Sequence, residues 1–165
     1  MDNRLEELER RVAALESARP LGEQVLPDGV DPEVFFALRA LKERVPEPGA
    51  VLYTGTVTLP DGRHVDWQFG RPTTEVLDAD WSARASGLAA LGNPVRLTLL
   101  REILHDRNTV SALSEVEGLG TSGQIYHHLR QLTAEGWLHS PSRGVFAVPP
   151  TRVVALLAIL VALER

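Results

Sequence analysis

The amphipathic pattern of residues 121–138 constrains the fold of this chain more than any other feature. Thr121 or Ser122 can cap a helix, because a hydroxyl accepts hydrogen bonds from the free amides of the first turn. Gly136 suits the left-handed position just after a helix ends. The large aliphatic residues in between are spaced four and three apart and form one buried stripe: Ile125, Leu129 and Leu132. The sequence therefore predicts a short helix with one buried face and one polar face.

The other positions of this helix are polar or small, apart from one phenol: Gly123, Gln124, Tyr126, His127, Arg130 and Gln131. A DNA major groove accepts such a face, because Gln and Arg side chains can each pair with a base edge through two hydrogen bonds. A solvated helix in any small α-domain has the same pattern. The segment alone leaves both interpretations open.

The residues before this helix contain the stop and start signals of further short helices. Gly92 and Pro94 are placed to end one helix and begin the next. Residues 109–116 are a candidate first helix of a pair, and Gly118 and Gly120 form a turn before the polar helix. This spacing favours a helix-turn-helix, and with it DNA as the partner.

The residues after the polar helix predict a hairpin. Two short strands, residues 137–139 and 145–148, enclose a Pro/Gly turn over residues 140–144. The turn carries one basic side chain, Arg143. A small hairpin that follows a helix-turn-helix and carries an arginine is typical of a wing.

Three motifs in this order resemble the ArsR-type winged-helix transcriptional regulators: L-G-N-P-V-R-L-x-L-L, then Y-H-H-L-x-x-L-x-x-x-G-W-L, then R-G-x-F. The resemblance covers roughly residues 84–150. It implies a homodimeric, sequence-specific regulator, a repressor in our interpretation, that places one recognition helix per subunit in successive major grooves of an inverted-repeat operator. The family's usual DNA contacts would fall here on Ser122, Gly123, Gln124, Tyr126, His127 and Arg130, with Arg143 of the wing reaching phosphate or the minor groove. The stretch from Leu113 to Thr121 is one residue longer than the usual spacing.

The residue types present exclude several kinds of chemistry. The chain contains no cysteine, so thiolate metal sensing and disulfides are excluded. His127 and His128 are adjacent on a helix and diverge by about 100°, so they do not form a chelating pair. We expect neither a metal nor a cofactor. No nucleophile elbow, phosphate loop or H-E-x-x-H motif is present, and we expect no enzymatic activity.

Charge is divided unevenly along the chain. The formal net charge is −5, with −7 over residues 1–80 and +2 over residues 81–165. A mildly basic C-terminal half predicts modest nonspecific affinity for DNA, with phosphate contacts from a few arginines: Arg96, Arg107, Arg130 and Arg143. This weak charge also leaves open a winged-helix scaffold that binds a protein instead.

The two ends of the chain are candidates for dimerisation. Near the N-terminus four apolar residues repeat at spacings of three, four and three, as in a coiled-coil seam: Leu5, Leu8, Val12 and Leu15. An amphipathic helix lying on its own domain is the alternative. Residues 153–163 are entirely apolar, too few to span a bilayer, and a helix of this kind must be covered on most sides. We expect a partner subunit to cover it through Val153, Leu156, Leu157 and Leu160.

The middle of the chain predicts a helix ending near Arg44 and a β-hairpin with alternating residues over 51–59 and 65–69. Its aromatic side chains could line a pocket for a small apolar ligand, but packing against the helical part is favoured. The predicted architecture is α+β: a winged helix-turn-helix with an N-terminal helical arm and a hairpin-containing middle segment, divided into residues 1–19, 20–80, 81–150 and 151–165. Met1 begins a charged stretch rather than an apolar signal core, so a cytoplasmic location is expected.

Overall fold

The computed structural model describes residues 35–164, and within them the chain has mixed α+β structure with seven α-helices. The predicted N-terminal arm, residues 1–19, and its seam of Leu5, Leu8, Val12 and Leu15 lie outside the described residues. The chain divides into two compact units, Met1–Glu43 and Arg44–Arg165. Helix α1 (Phe36–Arg44) begins in the first unit and ends at the first residue of the second.

The second unit contains the remaining helices and two antiparallel hairpins. The first hairpin and the helix after it are β1 (Ala50–Thr58), β2 (His64–Pro72) and α2 (Thr73–Leu77). A 3-10 turn over Trp81–Arg84 leads into four helices: α3 (Ala85–Leu91), α4 (Pro94–Leu104), α5 (Val110–Ser114) and α6 (Ser122–Ala134). The second hairpin and the last helix are β3 (His139–Ser142), β4 (Val145–Ala147) and α7 (Pro150–Ala162).

The predicted helix boundaries are confirmed where capping residues mark them. Asn93 caps α4, whose first residue is Pro94, and Thr109 caps α5. Thr121 caps α6, and Gly136 follows that helix with a φ of 69°. These positions need only local hydrogen bonds to free helix-end amides, so the sequence is sufficient to locate them.

The core of the second unit lies between helix α7 and the helices α4, α5 and α6. Its completely or almost completely buried side chains come from four helices, α4 to α7, and from the segment after α6: Leu99, Leu100, Leu113, Ile125, Leu129, Leu132, Leu138, Val153 and Leu156. The stripe predicted for α6 is therefore confirmed as its buried face.

The first hairpin packs on the C-terminal helix, as the favoured interpretation predicted. Strands β1 and β2 pair in register, with Gly55 opposite Trp67 and Val57 opposite Val65. Both strands contact α7, and a methyl group added at Gly55 would come within 2.8 Å of Val154 Cγ1. The absence of a side chain at this position lets the strand approach the helix closely.

The second hairpin is shorter than its predicted strands. Trp137 and Leu138 are buried before β3 begins, so the strand predicted from residue 137 starts at residue 139 instead. The predicted five-residue turn reduces to Arg143 and Gly144, because residues 140–142 belong to β3. Strand β4 is attached to the rest of the unit by a hydrogen bond from the Phe146 backbone N–H to the carbonyl oxygen of Asn108.

The burial of side chains on α7 corrects the expectation that a partner subunit covers all of its predicted dimerisation residues. Val153 and Leu156 are each only 1% exposed within their own chain, so no partner is needed to bury them. Leu157 is half-buried and Leu160 is exposed. No helix in the described part of the chain is long and apolar enough to cross a membrane.

Candidate nucleic-acid interface

The first turn of α6 is held by a reciprocal cap between Thr121 and Gln124. The Thr121 hydroxyl accepts a hydrogen bond from the Gln124 backbone N–H, and the Gln124 side-chain oxygen accepts one from the Thr121 backbone N–H at 2.8 Å. Both bonds satisfy donors that a helix start leaves free. The oxygen of Gln124 is thus already used, which corrects the expectation that this side chain pairs with a base through both of its amide groups.

The outermost line of α6 is formed by Gly123, His127, Arg130 and Ala134, all of which are exposed. Their spacings of four, three and four place them on one side of the helix, opposite the buried leucines and isoleucine. Ser122 and Tyr126 lie beside this line, and Tyr126 is 43% exposed. We call these exposed positions the polar face of α6: Ser122, Gly123, Tyr126, His127 and Arg130.

The fold does not require the glycine at position 123. A methyl group added there would meet only the Thr121 hydroxyl, at 4.0 Å, and the backbone at Gly123 is not left-handed. Glycine in a helix interior costs about 0.5–1 kcal/mol relative to alanine. The missing side chain instead leaves the N-terminal end of the polar face open to the close approach of another molecule.

The basic residues of the prediction have different roles in the structure. Within the part of the chain that the structure describes, the side chains of Arg130 and Arg143 form neither a hydrogen bond nor an ion pair. Arg143 lies on a separate element from α6, in the tight turn where Gly144 adopts a φ of 76°. Arg107 is paired with the buried carboxylate of Glu102 at 3.4 Å, so its predicted phosphate contact is replaced by an intramolecular one.

Arg96 is also engaged inside the protein. Its guanidinium donates to the carbonyl oxygens of Ala90 (2.5 Å) and Ala89 (2.7 Å) at the end of α3, and to the side-chain oxygen of Gln131 on α6 (2.7 Å). One side chain thus joins α3, α4 and α6, and the predicted phosphate contact of Arg96 is wrong. Sequence reasoning missed this role because the three partners lie up to 35 residues away.

The two histidines of α6 have different environments. His127 is exposed, whereas His128 is half-buried, as predicted, and its Nδ1 is buried without a hydrogen-bond partner among the described residues. Burial lowers the pKa of His128, and the nearby positive charge of Arg96 and the coupling to His127 lower it further. The two rings are 5.6 Å apart, and no group of three potential metal ligands occurs within residues 35–164.

Acidic residues lie in the connection that leads into α6. Glu115 and Glu117 are exposed, and neither has an ion-pair partner among the described residues. The last residue of α5 contacts the first residue of α6 through the Ser114 and Ser122 hydroxyls, which are 3.3 Å apart. These carboxylates reduce the positive potential at the N-terminal end of the polar face.

An apolar groove of about 300 Å³ runs between α4 and α7. Its aliphatic walls are formed by Leu97, Leu100, Leu104, Leu156, Leu157 and Leu160. Two further apolar side chains at the end of the chain, Val161 and Leu163, are 63% and 72% exposed. Of the dimerisation residues predicted on α7, only Leu157 and Leu160 therefore have surface to offer to a second molecule.

Comparisons of this chain with protein-family models, with curated proteins and with solved structures found no match.

Proposed function

We propose that this protein is a sequence-specific DNA-binding transcriptional regulator. In this proposal α5 and α6 act as a helix-turn-helix, α6 is the recognition helix, and the β3–β4 hairpin is the wing of an ArsR-like winged helix. The polar face of α6 enters the major groove, and Arg143 contacts phosphate or the minor groove.

The observation that carries the proposal is the line formed by Gly123, His127 and Arg130. It is exposed and opposite the core, and its glycine serves no need of the fold. A recognition helix contacts base edges mainly with its N-terminal residues, so an open position there allows the bases to come close to the helix. The side chain of Arg130, two turns further along, has no intramolecular partner within the described residues and suits a phosphate or a guanine edge.

The proposal includes a homodimer that binds an inverted repeat. Its support is the apolar groove between α4 and α7, together with Val161 and Leu163. Contiguous apolar surface of this kind marks interaction sites on soluble proteins, and a second copy offers a groove of the same chemistry. A dimer would present two α6 helices to one face of the DNA.

A glycine replacement tests the proposal most directly. Binding sites would first be selected from a random DNA pool, and affinities then measured by fluorescence anisotropy. Gly123→Leu adds a bulky side chain at an exposed position where a Cβ meets only the Thr121 hydroxyl, so the protein is expected to fold normally and to lose at least 100-fold in operator affinity. Ala134→Leu, on the same line but at the far end of α6, is the matched control and should stay within a few-fold of the parent. Equal affinity of both variants and the parent would refute the assignment of α6.

Arginine replacements separate the two modes of contact. Arg143→Ala is expected to weaken all DNA sequences alike and to reduce the dependence of affinity on salt, because phosphate contacts position a protein without reading sequence. Arg71→Ala removes the same charge from the first hairpin and should change neither quantity. A shifted base preference in Arg143→Ala would indicate that the wing reads sequence.

A protein partner is the second candidate function, and Glu115 and Glu117 favour it. Carboxylates beside the start of α6 repel phosphates but would suit a basic protein surface. Replacement of both by glutamine should strengthen DNA binding if the first proposal holds. If the random pool yields no enriched sequence and the double variant still binds no DNA, the protein-binding interpretation replaces it.

A further inference from the structure

A cleft of about 360 Å³ lies on the second unit, near the C-terminal end of α6 and away from the N-terminal residues of its polar face. It is formed by β1, by the segment from the 3-10 turn into α3, by the residues that follow α6, and by α7. Its volume falls within the range of small-molecule sites, about 300–1,000 Å³. Of the residues in the first hairpin, only Tyr53 lines this cleft.

The cleft is lined by aromatic and aliphatic side chains and by positively charged ones. Leu88 and Ile159 provide aliphatic surface, and Tyr53 and Trp137 contribute aromatic rings. Trp137 is only 5% exposed, so its position is fixed by packing. Side chains of this kind can hold a planar apolar body without losing much conformational entropy.

Two arginines border the same cleft. The Arg152 guanidinium lies 5.0 Å from the centre of the Trp137 ring, which holds it beside the aromatic wall. The side chain of Arg84 has no hydrogen bond or ion pair with any described residue. The carboxylate of Glu135 is the one acid in the lining, and it already accepts a hydrogen bond from the Ser86 hydroxyl at 2.9 Å. The side chains that line the cleft therefore carry a net charge of +1, from two arginines and one glutamate.

We propose that this cleft binds a small organic anion with a planar apolar body, such as an aromatic carboxylate. The aromatic part lies against Tyr53 and the aliphatic walls, beside the stacked Arg152 and Trp137, and the carboxylate pairs with Arg84 and Arg152. Arginine suits this role because its planar fork matches the two oxygens of a carboxylate.

The cleft is joined to the end of the proposed recognition helix by short contacts. The Trp137 indole N–H donates to the Gly87 carbonyl at 3.0 Å, and the Ser86 hydroxyl donates to Glu135. Because Arg152 lies over the Trp137 ring, we expect an anion bound beside Arg152 to disturb these contacts and to change DNA affinity. Its effect on DNA affinity rests on the proposed function, whereas its binding to the cleft does not.

Titration with 2-naphthoate in the absence of DNA tests the site, with 2-naphthamide as the uncharged analogue of the same shape. Binding is followed by calorimetry and by the NMR signal of the Trp137 indole N–H, which is assigned from its absence in Trp137→Phe. We expect naphthoate to shift this signal and to bind at least tenfold more tightly than the amide.

Charge-removing variants locate the binding. Arg84→Gln and Arg152→Gln should each weaken naphthoate binding at least fivefold, while Arg71→Gln should not change it. Leu88→Asp is a second type of variant: this exposed wall position lies outside the core, and a carboxylate there should repel the anion. Thermal unfolding of each variant shows that it is folded.

Three results would overturn the proposal. Equal affinity for naphthoate and naphthamide would remove the role of charge. Unchanged affinity in folded Arg84→Gln, Arg152→Gln and Leu88→Asp proteins would place the ligand elsewhere. Loss of binding in Arg101→Gln alone would assign the ligand to the apolar groove that Arg101 borders. If naphthoate binds as expected but has no effect on operator affinity, the cleft stands and only its coupling to DNA binding fails.

Discussion

Removal of the Arg96 guanidinium should destabilise the second unit and displace α6. Two of its three bonds go to the Ala89 and Ala90 carbonyl oxygens at the end of α3, and Ala90 is buried. A hydrogen bond from a charged donor contributes about 1.5–3 kcal/mol where it is shielded from water and less where it is exposed. We therefore expect Arg96→Ala to lower the free energy of unfolding by about 3 kcal/mol.

Two further variants separate charge from geometry. Arg96→Lys keeps the positive charge, but an ammonium group cannot donate along three directions in the plane of a guanidinium, so it should recover less than half of the loss. Gln131→Ala removes only the bond to α6 and should cost about 0.5–1 kcal/mol. Arg71→Ala breaks an exposed ion pair with Glu75 and is the control, with an expected change below about 1 kcal/mol.

Urea unfolding followed by far-UV circular dichroism measures these differences, and thermal unfolding checks them, with an expected decrease of roughly 10 °C in Tm for Arg96→Ala. A stability for Arg96→Ala within about 0.5 kcal/mol of the parent, or full rescue by Arg96→Lys, would refute the argument that the three bonds hold α3, α4 and α6 together.

Three other outcomes follow from the packing and charges of the second unit. Because burial lowers the pKa of His128, the unfolded chain takes up a proton before the folded chain does as pH falls through the ordinary histidine value of 6.5. Stability should therefore decline as pH falls through this value, and His128→Gln should flatten this decline, whereas an unchanged pH profile would contradict it. Gly55→Ala should cost about 1–3 kcal/mol in urea unfolding, because its methyl group displaces α7 at Val154; a neutral effect would mean that the hairpin shifts freely. Leu160→Asp should shift sedimentation at micromolar concentration from dimer to monomer without unfolding the chain, since Leu160 is 39% exposed, and a dimeric variant would exclude the groove between α4 and α7 as the interface.

Short-range features of the fold could be predicted from the sequence. The caps at Asn93, Thr109 and Thr121, and the left-handed Gly136, depend on bonds within one or two turns of the chain. The alternation of the first hairpin likewise predicted its strands to within a few residues. The boundaries of the second hairpin were less well predicted. Trp137 is buried in the core, so it lies before the strand rather than in it.

The fate of individual polar side chains could not be predicted in the same way. Arg96, Gln124 and Arg130 all read as polar residues suited to DNA. Only the folded chain distinguishes them, since the side chains of Arg96 and Gln124 bond to other parts of the protein, whereas the side chain of Arg130 bonds to no described residue. Partner choice depends on which groups come within about 3 Å of each other, and residues distant in sequence decide that.

The sequence by itself determined where most helices and strands lie and which side of α6 is buried, because periodicity and capping are local properties. The tertiary structure decided which of the remaining surfaces are free. It covers Val153 and Leu156 of the apolar C-terminal helix within the same chain, and it leaves Leu160 at the surface. It also brings Arg84 and Arg152, 68 positions apart, to one cleft beside Trp137. The burial of α7 and the charge of this cleft depend on how separate helices and strands pack. The sequence pattern of a single helix or strand does not predict that packing.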